Sequence, residues 1–434
     1  MYNNKGYKRR GLRVNKFGVQ YLDKSTKVFS GKRDTFHGSS DQHAEIREVL
    51  RQFQAGYTGR DIEKADAFVE ELFITGEDTC VLGTGTGELF LGSEQVKTLI
   101  KDDWKYWGDV NIDWENAHIS VEGEVAWFAT TGSVKYTFED TPQRYDSYLD
   151  FIQKKAGEPG LTPKQKVTFI NWVLALSYHQ REEEKREYVW PLCLSGVLLK
   201  DAGKWKIVHL QFSIPKANFP DERFENSKEY LESYNKQNAM VDGYRNNWMT
   251  VEIKALLKSL ETEFVGQKTV SKEVVSKYFA ADSLPYVIGP ENQWCYGIEQ
   301  VREFFTENGD LTLSLDLEHA IASKSGEVTW VTVTGILKQD LTEDELAERA
   351  LEELDNLFRA DLASKEKLFA IHRSIAYVLK ESAIGVNYTC PLRLTAVILN
   401  RGMEPTFHHI HFSFPSYWVF EGKVDSVLGR EWRE

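Results

Sequence analysis

Cysteine is scarce in this 434-residue chain: Cys80, Cys193, Cys295 and Cys390 stand far apart. With no C-x-x-C pair and no metal-finger spacing, neither a disulfide framework nor a zinc site is expected, and a reducing compartment fits. Long apolar runs are missing too. No stretch approaches the ~18–20 residues that cross a bilayer, and residues 1–5 open no apolar segment of signal type, so the expectation is a cytoplasmic protein with no membrane partner. The body also lacks positive charge. Net charge is −13, yet residues 1–40 carry ten Lys/Arg against two Asp/Glu, which leaves −21 for the remainder. An acidic body repels phosphate backbones, so no nucleic-acid partner is expected for the folded part. The basic arm, with Lys8, Arg9, Arg10, Arg13 and Lys16, is assigned no function.

What is abundant is aromatic surface, with 12 Trp, 19 Tyr and 24 Phe, enough for a globular chain. At 50.0 kDa it exceeds the ~250–300 residues at which one core stops growing, which predicts two domains. They are copies of one another. Ile46, Val49, Leu50, Phe53 and Tyr57 recur as Ile253, Leu256, Leu257, Leu260 and Phe264, both on the i, i+3, i+4, i+7 spacing of an amphipathic helix. Phe68-Val69 with Leu72-Phe73 is answered by Val274-Val275 with Tyr278-Phe279. Val81-Leu82-Gly83 returns as Val287-Ile288-Gly289, and Gly123-Glu124-Val125-Ala126-Trp127 as Gly326-Glu327-Val328-Thr329-Trp330. His209-Leu210-Gln211-Phe212-Ser213 matches His409-Ile410-His411-Phe412-Ser413. The offset drifts steadily from 207 to 200, which means the same elements in the same order with a few short indels.

In each copy helices come first and strands follow, the α+β pattern of helices packed on one face of an antiparallel sheet. The copies span 41–216 and 248–434, after the arm 1–40 and around a linker 217–247 with a short helix near 227–234. Helical insertions at 141–187 and 341–386 interrupt the strands. Asp113 and Asp316 fall on alternating strands and read as solvated.

Three leading helices, the Gly83-Thr84 turn with Glu88 and Gly92 after it, the Gly-Glu-Val-Ala-Trp strand start and the ending Trp205…Ile207-Val208-His209…Ser213 resemble the nuclear transport factor two-like superfamily. Within it the likeness is to SnoaL-like domains. The resemblance implies two tandem cone-shaped domains, each with a curved sheet wrapped round helices and a pocket. It also implies that the sheets pair face to face within the chain as a pseudo-dimer; a further homodimer stays open. Activity does not follow, because the superfamily mixes enzymes with non-catalytic modules.

The candidate ligand-binding residues are His209, Gln211, Ser213, His409, His411, Arg393, Trp104 and Tyr145. Period-two alternation puts His209, Gln211 and Ser213 on one strand face, and His409, His411 and Ser413 on the equivalent one. Such imidazoles suit a metal, acid/base chemistry, ligand hydrogen bonds, or a sheet-to-sheet interface in which neighbours satisfy them. No metal is expected, since a third ligand is missing and Gln211 stands opposite His411 in the repeat. Arg393, a cation inside an apolar strand, needs either an anionic ligand or a structural acid such as Asp316; its counterpart is Cys193. Asp78, Asp113, Tyr145, Asp146, Tyr148, His118 and His179 belong to no spacing that demands catalysis, so the catalytic set stays unassigned.

Gly83–Gly87 lacks the following Lys-Ser/Thr and helix of a phosphate loop, and no cofactor is expected. The leading expectation is a small-molecule binder, anionic ligand included. The alternatives are a cofactor-free acid/base enzyme of isomerase, cyclase or dehydratase type, and a non-catalytic assembly module.

Overall fold

In the computed structural model the described residues are 38–85, 87–139, 142–177, 185–214, 235, 237–241, 248–290, 292–307, 309–361 and 364–415. Residues 1–37 of the arm, the 227–234 helix and His179 lie outside them. Helix α1 (Ser40–Gly59) starts where Ser39 and Gln42 form a reciprocal capping box. It buries Ile46, Val49, Leu50, Phe53 and Tyr57, the stripe its sequence spacing defines. α2 (Ala65–Leu72) follows, then strands β1 (Cys80–Leu82) and β2 (Leu89–Leu91), and α3 (Ser93–Tyr106). Next come β3 (Asp109–Ile112), β4 (His118–Glu122), β5 (Val125–Glu139), β6 (Lys185–Asp201) and β7 (Lys204–Ser213). The sheet order is β2-β1-β7-β6-β5-β3, with β4 also on β5.

The second half repeats this plan. Helices α6 (Val251–Ser259), α7 (Lys272–Tyr278) and α8 (Gly297–Glu307) accompany β8 (Tyr286–Ile288), β9 (Trp294–Tyr296), β10 (Thr312–Leu315), β11 (Ile321–Ser325), β12 (Val328–Asp340), β13 (Asn387–Leu399) and β14 (Thr406–Ser413). Read from the other edge, their order is β9-β8-β14-β13-β12-β10, with β11 on β12. Even the irregularities coincide: β6–β7 slips register between Val197 and Leu198, and β13–β14 between Val397 and Ile398. Two tandem α+β domains with one topology follow.

Each sheet has two buried faces. One packs on its own helices: Leu192, Leu194, Leu198, Leu210 and Phe212 join α1–α3 in the first core, and Leu392, Leu394, Ile398, Ile410 and Phe412 join α6–α8 in the second. The other carries Val125, Trp127, Ala129, Cys193, Val197 and Val208 of the first sheet in one apolar cluster with Tyr286, Ile288, Val328, Trp330, Val397 and Leu399 of the second. At the register slip two residues oppose one, so Val208 and His209 both reach this outer face, as do His408 and His409.

The insertions form a compact unit of their own, distinct from the one that holds both sheets. In it α4 (Pro142–Gly157) packs on α5 (Pro163–Ser177), α5 on α10 (Ser364–Ile384), and α10 on α9 (Glu343–Arg359). The sequence pattern shows two insertions; that helices from both halves share one bundle comes from the structure. Each two-helix insertion has too little apolar surface to close a core alone.

Candidate functional site

The strand-borne candidates meet in one buried polar seam. His411 lies between two serines of the first sheet, with Ser195 Oγ 2.7 Å from Nδ1 and Ser213 Oγ 2.8 Å from Nε2. Gln211 Nε2 donates to Ser413 Oγ at 2.9 Å and to the His411 carbonyl at 3.3 Å. His209 Nε2 is 3.0 Å from Thr395 Oγ1. At the register slip, Trp127 Nε1 donates to His408 Nδ1 at 3.0 Å, and His409 stacks on Tyr286 with ring centres 4.2 Å apart. Farther along, the His118 ring sits 2.6 Å from the Tyr296 hydroxyl, and Arg401 pairs with Glu122. Burial away from water holds His209 and His411 neutral, pushed down to about 3; burial likewise lowers His409, with His411 and His408 adding to it.

Arg393 is 2% exposed. Its Nη1 donates to the Gly83 carbonyl at 2.9 Å and its Nη2 to Gln237 Oε1 at 3.2 Å. The strand register sets Arg393 opposite Ser413 and Thr395 opposite His411, so all share the outer face. Cys193, its counterpart, meets the equivalent turn of the second domain through Asn292 Oδ1. Asp316 instead caps a short turn, accepting from His319 and from Asn238. Asp113 is exposed and holds Asn116.

The sequence left these residues open between a ligand pocket and, for the histidines, a sheet-to-sheet interface. His209, Gln211, Ser213, Arg393, His409 and His411 lie on the sheet face away from the helices, towards the other sheet. Alternation groups residues by face but does not say which face meets the helices when both are buried. Tyr145 lies in α4, and its side chain falls outside what the structure describes.

Among the candidates whose side chains are described, Trp104 alone sits in a helix–sheet layer, and it stands beside a pair the sequence reading missed. Tyr57 Oη of α1 donates to Asp103 Oδ2 of α3 at 2.7 Å. Burial, above all, raises both groups, and the Glu88 carboxylate adds to it; Asp103 raises Tyr57 further, whereas the hydrogen bond that Tyr57 donates pulls Asp103 partly back down. The Trp104 ring meets Tyr57 edge-on at 6.3 Å, and its buried Nε1–H has no hydrogen-bond partner among the described residues. Phe212 of β7 closes the layer against Tyr57 and Trp107.

Arg60 fixes the geometry. It ends α1 in a left-handed conformation (φ 49°), and its guanidinium donates to the carbonyls of Asp103, Trp104 and Trp107 while pairing with Asp109 at 3.0 Å. That ties the C-terminal turn of α3 to the end of α1. Glu88, just before β2, accepts from the Gly85 N–H. In the second domain Tyr57 becomes Phe264, Glu88 becomes Gln293, and α8 ends at Glu307, short of the turn that carries Asp103 and Trp104 in α3. Phe264 packs on Phe305 instead, at 4.7 Å. The visible signal was the Tyr57-to-Phe264 exchange at an otherwise apolar helix position.

The SnoaL-like domain model matches residues 46–149, a stretch that contains Tyr57, Glu88, Asp103 and Trp104. No protein of curated function matches the chain. Among solved structures, a nuclear transport factor 2 (NTF2-like) superfamily protein from Salmonella enterica is similar at 14% identity, covering 43% of this chain and 99% of its own, with a TM-score of 0.28. A Nostoc punctiforme protein with a cystatin-like fold is 12% identical over 43% of this chain and 98% of its own, TM-score 0.25. One from Caulobacter vibrioides, also with a cystatin-like fold, is 12% identical over 44% and 96%, TM-score 0.25. The SnoaL-like match therefore lies within the first half of the chain, and none of the chain's described helices is long and apolar enough to span a membrane.

Proposed function

We propose that the chain binds a small organic molecule in the helix–sheet layer of its first domain, at Tyr57, Asp103 and Trp104. The second sheet is then a second copy of the same domain, spanning 248–434, which has given up the polar pair and serves as a fixed intrachain partner. The observation that carries this reading is the part-buried Tyr57–Asp103 hydrogen bond next to a buried indole N–H with no partner among the described residues. A folded chain retains buried polar groups at a cost of about 1–3 kcal/mol each when unpaired, and a ligand acceptor at Trp104 would remove that cost. His209, His408 and His411, by contrast, hydrogen-bond across the seam and are assigned to pairing, while His409 stacks on Tyr286 with no hydrogen-bond partner for its ring nitrogens among the described residues. Arg393 goes with them, so nothing in the site calls for an anionic ligand; two carboxyls, Glu88 and Asp103, favour a neutral one. The free, mostly buried cysteines support a cytoplasmic location.

A second reading rests on the same pair. A carboxyl raised by burial and held by a phenol is suited to give and take a proton, which is the equipment of a cofactor-free isomerase or dehydratase. A fragment screen by saturation-transfer NMR tests the binding reading. Hits should be lost in Tyr57→Phe or Asp103→Asn and retained in His411→Gln. Hits indifferent to Tyr57 and Asp103 overturn the assignment. Turnover of a bound enolisable hit, abolished by Asp103→Asn while Tyr57→Phe still binds, would favour the enzyme.

A further inference from the structure

The inserted helices break the usual pattern of a surface helix, in which the face away from the core is polar. On α9, Leu346 and Leu357 point inward, while Asp344, Glu348, Leu351, Asp355 and Phe358 form one exposed stripe at i, i+4, i+7, i+11, i+14. Leu351 is 61% exposed and Phe358 60%. On α5, Lys164, Val167 and Leu174 share an exposed stripe, with Val167 66% open to solvent. On α10, Leu368 and Ile375 repeat the seven-residue spacing. Apolar residues repeating every seven positions on a solvent face are what a facing helix covers.

The charges say which helix. α9 holds seven Asp/Glu and two Arg; α5 holds two Lys and no acid. An acidic stripe on α9 and a stripe on α5 whose one charge is Lys164 therefore sit on one bundle, with Leu351/Phe358 and Val167/Leu174 at the same seven-residue spacing and α10 packing against both helices. A second copy of this chain offers both complements at once: α9 of each protomer can face α5 of the other under a two-fold axis. The outer sheet faces are already spent on each other, so chain-to-chain association needs a different surface. We infer that the chain forms a homodimer through its inserted helices, α9 against α5, with Leu351, Phe358 and Val167 buried and the acidic stripe meeting Lys164. This inference is independent of the ligand reading.

Sedimentation equilibrium of the full chain tests it. At low salt and about 20 µM the expected mass is twice the 50.0 kDa of one chain, with dissociation promoted by 0.5 M NaCl. Leu351→Lys with Phe358→Lys should weaken the dimer about a hundredfold while leaving the circular dichroism unchanged. Should that double variant fail to fold, the charge pair decides. Lys164→Glu should weaken association about tenfold, and adding Asp355→Lys should restore it. A monomer at about 100 µM and low salt overturns the proposal. So does a dimer that neither the stripe nor the charge substitutions affect, and so does a monomer whose stripe binds only a foreign basic peptide.

Discussion

Acid should open the seam between the sheets before it reaches either helix–sheet core. His209 and His411 are 1% and 0% exposed, and burial pushes each down to about 3, against an ordinary value near 6.5. Between those values the unfolded chain takes up a proton at each imidazole and the folded chain does not. Stability therefore falls as pH drops from 6.5 towards 3, and the contribution levels off below that. Each unit of pH costs about 1.4 kcal/mol per histidine, so at pH 4.5 the two together withdraw about 5 kcal/mol. That is comparable to the whole stability of many domains.

Carboxylates titrate in the same range, so the assay compares slopes. Guanidinium unfolding of wild type and of His209→Gln/His411→Gln, measured from pH 4 to 6.5, should give lines whose slopes differ by about 2.7 kcal/mol per pH unit, the variant being the flatter. The imidazole Cε1–H resonances of both residues should stay at their neutral positions from pH 7 to 4.5. Parallel stability lines, or resonances that titrate near 6.5, would refute the buried, neutral seam.

Arg393→Met should destabilise by about 2–4 kcal/mol in guanidinium melts, because it orphans the Gly83 carbonyl and the Gln237 amide oxygen in the interior. Arg393→Lys should recover little of that loss, since one ammonium does not span both acceptors. Gly132→Ala and Gly335→Ala should each cost about 1–3 kcal/mol in chemical denaturation: an added Cβ would stand 2.4 Å from the Asn111 carbonyl oxygen in one copy and 2.6 Å from that of Ser314 in the other. Cys80 and Cys193, their thiols pushed up to about 12 by burial, should resist a disulfide reagent at pH 8 until the chain unfolds, with labelling followed by mass spectrometry.

The duplication was legible because both copies keep the same helix stripe, turn glycines and final strand, and those are positions that packing and backbone conformation constrain. Strand parity correctly grouped His209 with Gln211 and His411 with Ser413. It was silent on direction, since apolar residues fill both faces of each sheet and alternation marks only the difference between them. The Tyr57–Asp103 pair was hidden for another reason. Tyr57 satisfies the apolar helix stripe as well as Phe264 does, and Asp103 lies beside Asp102 in a stretch that reads as a solvated helix end. Only the fold brings α1 and α3 together, with Arg60 holding them. The shared helical bundle was equally invisible, because nothing local in residues 141–187 refers to residues 341–386.

A crystal of the full chain soaked with the tightest neutral fragment would decide where the ligand belongs. Density should appear against the Tyr57 hydroxyl, the Asp103 carboxyl and the Trp104 indole of the first domain alone. Density between the sheets at His209 and His411, or beside Phe264 in the second domain, would contradict that assignment.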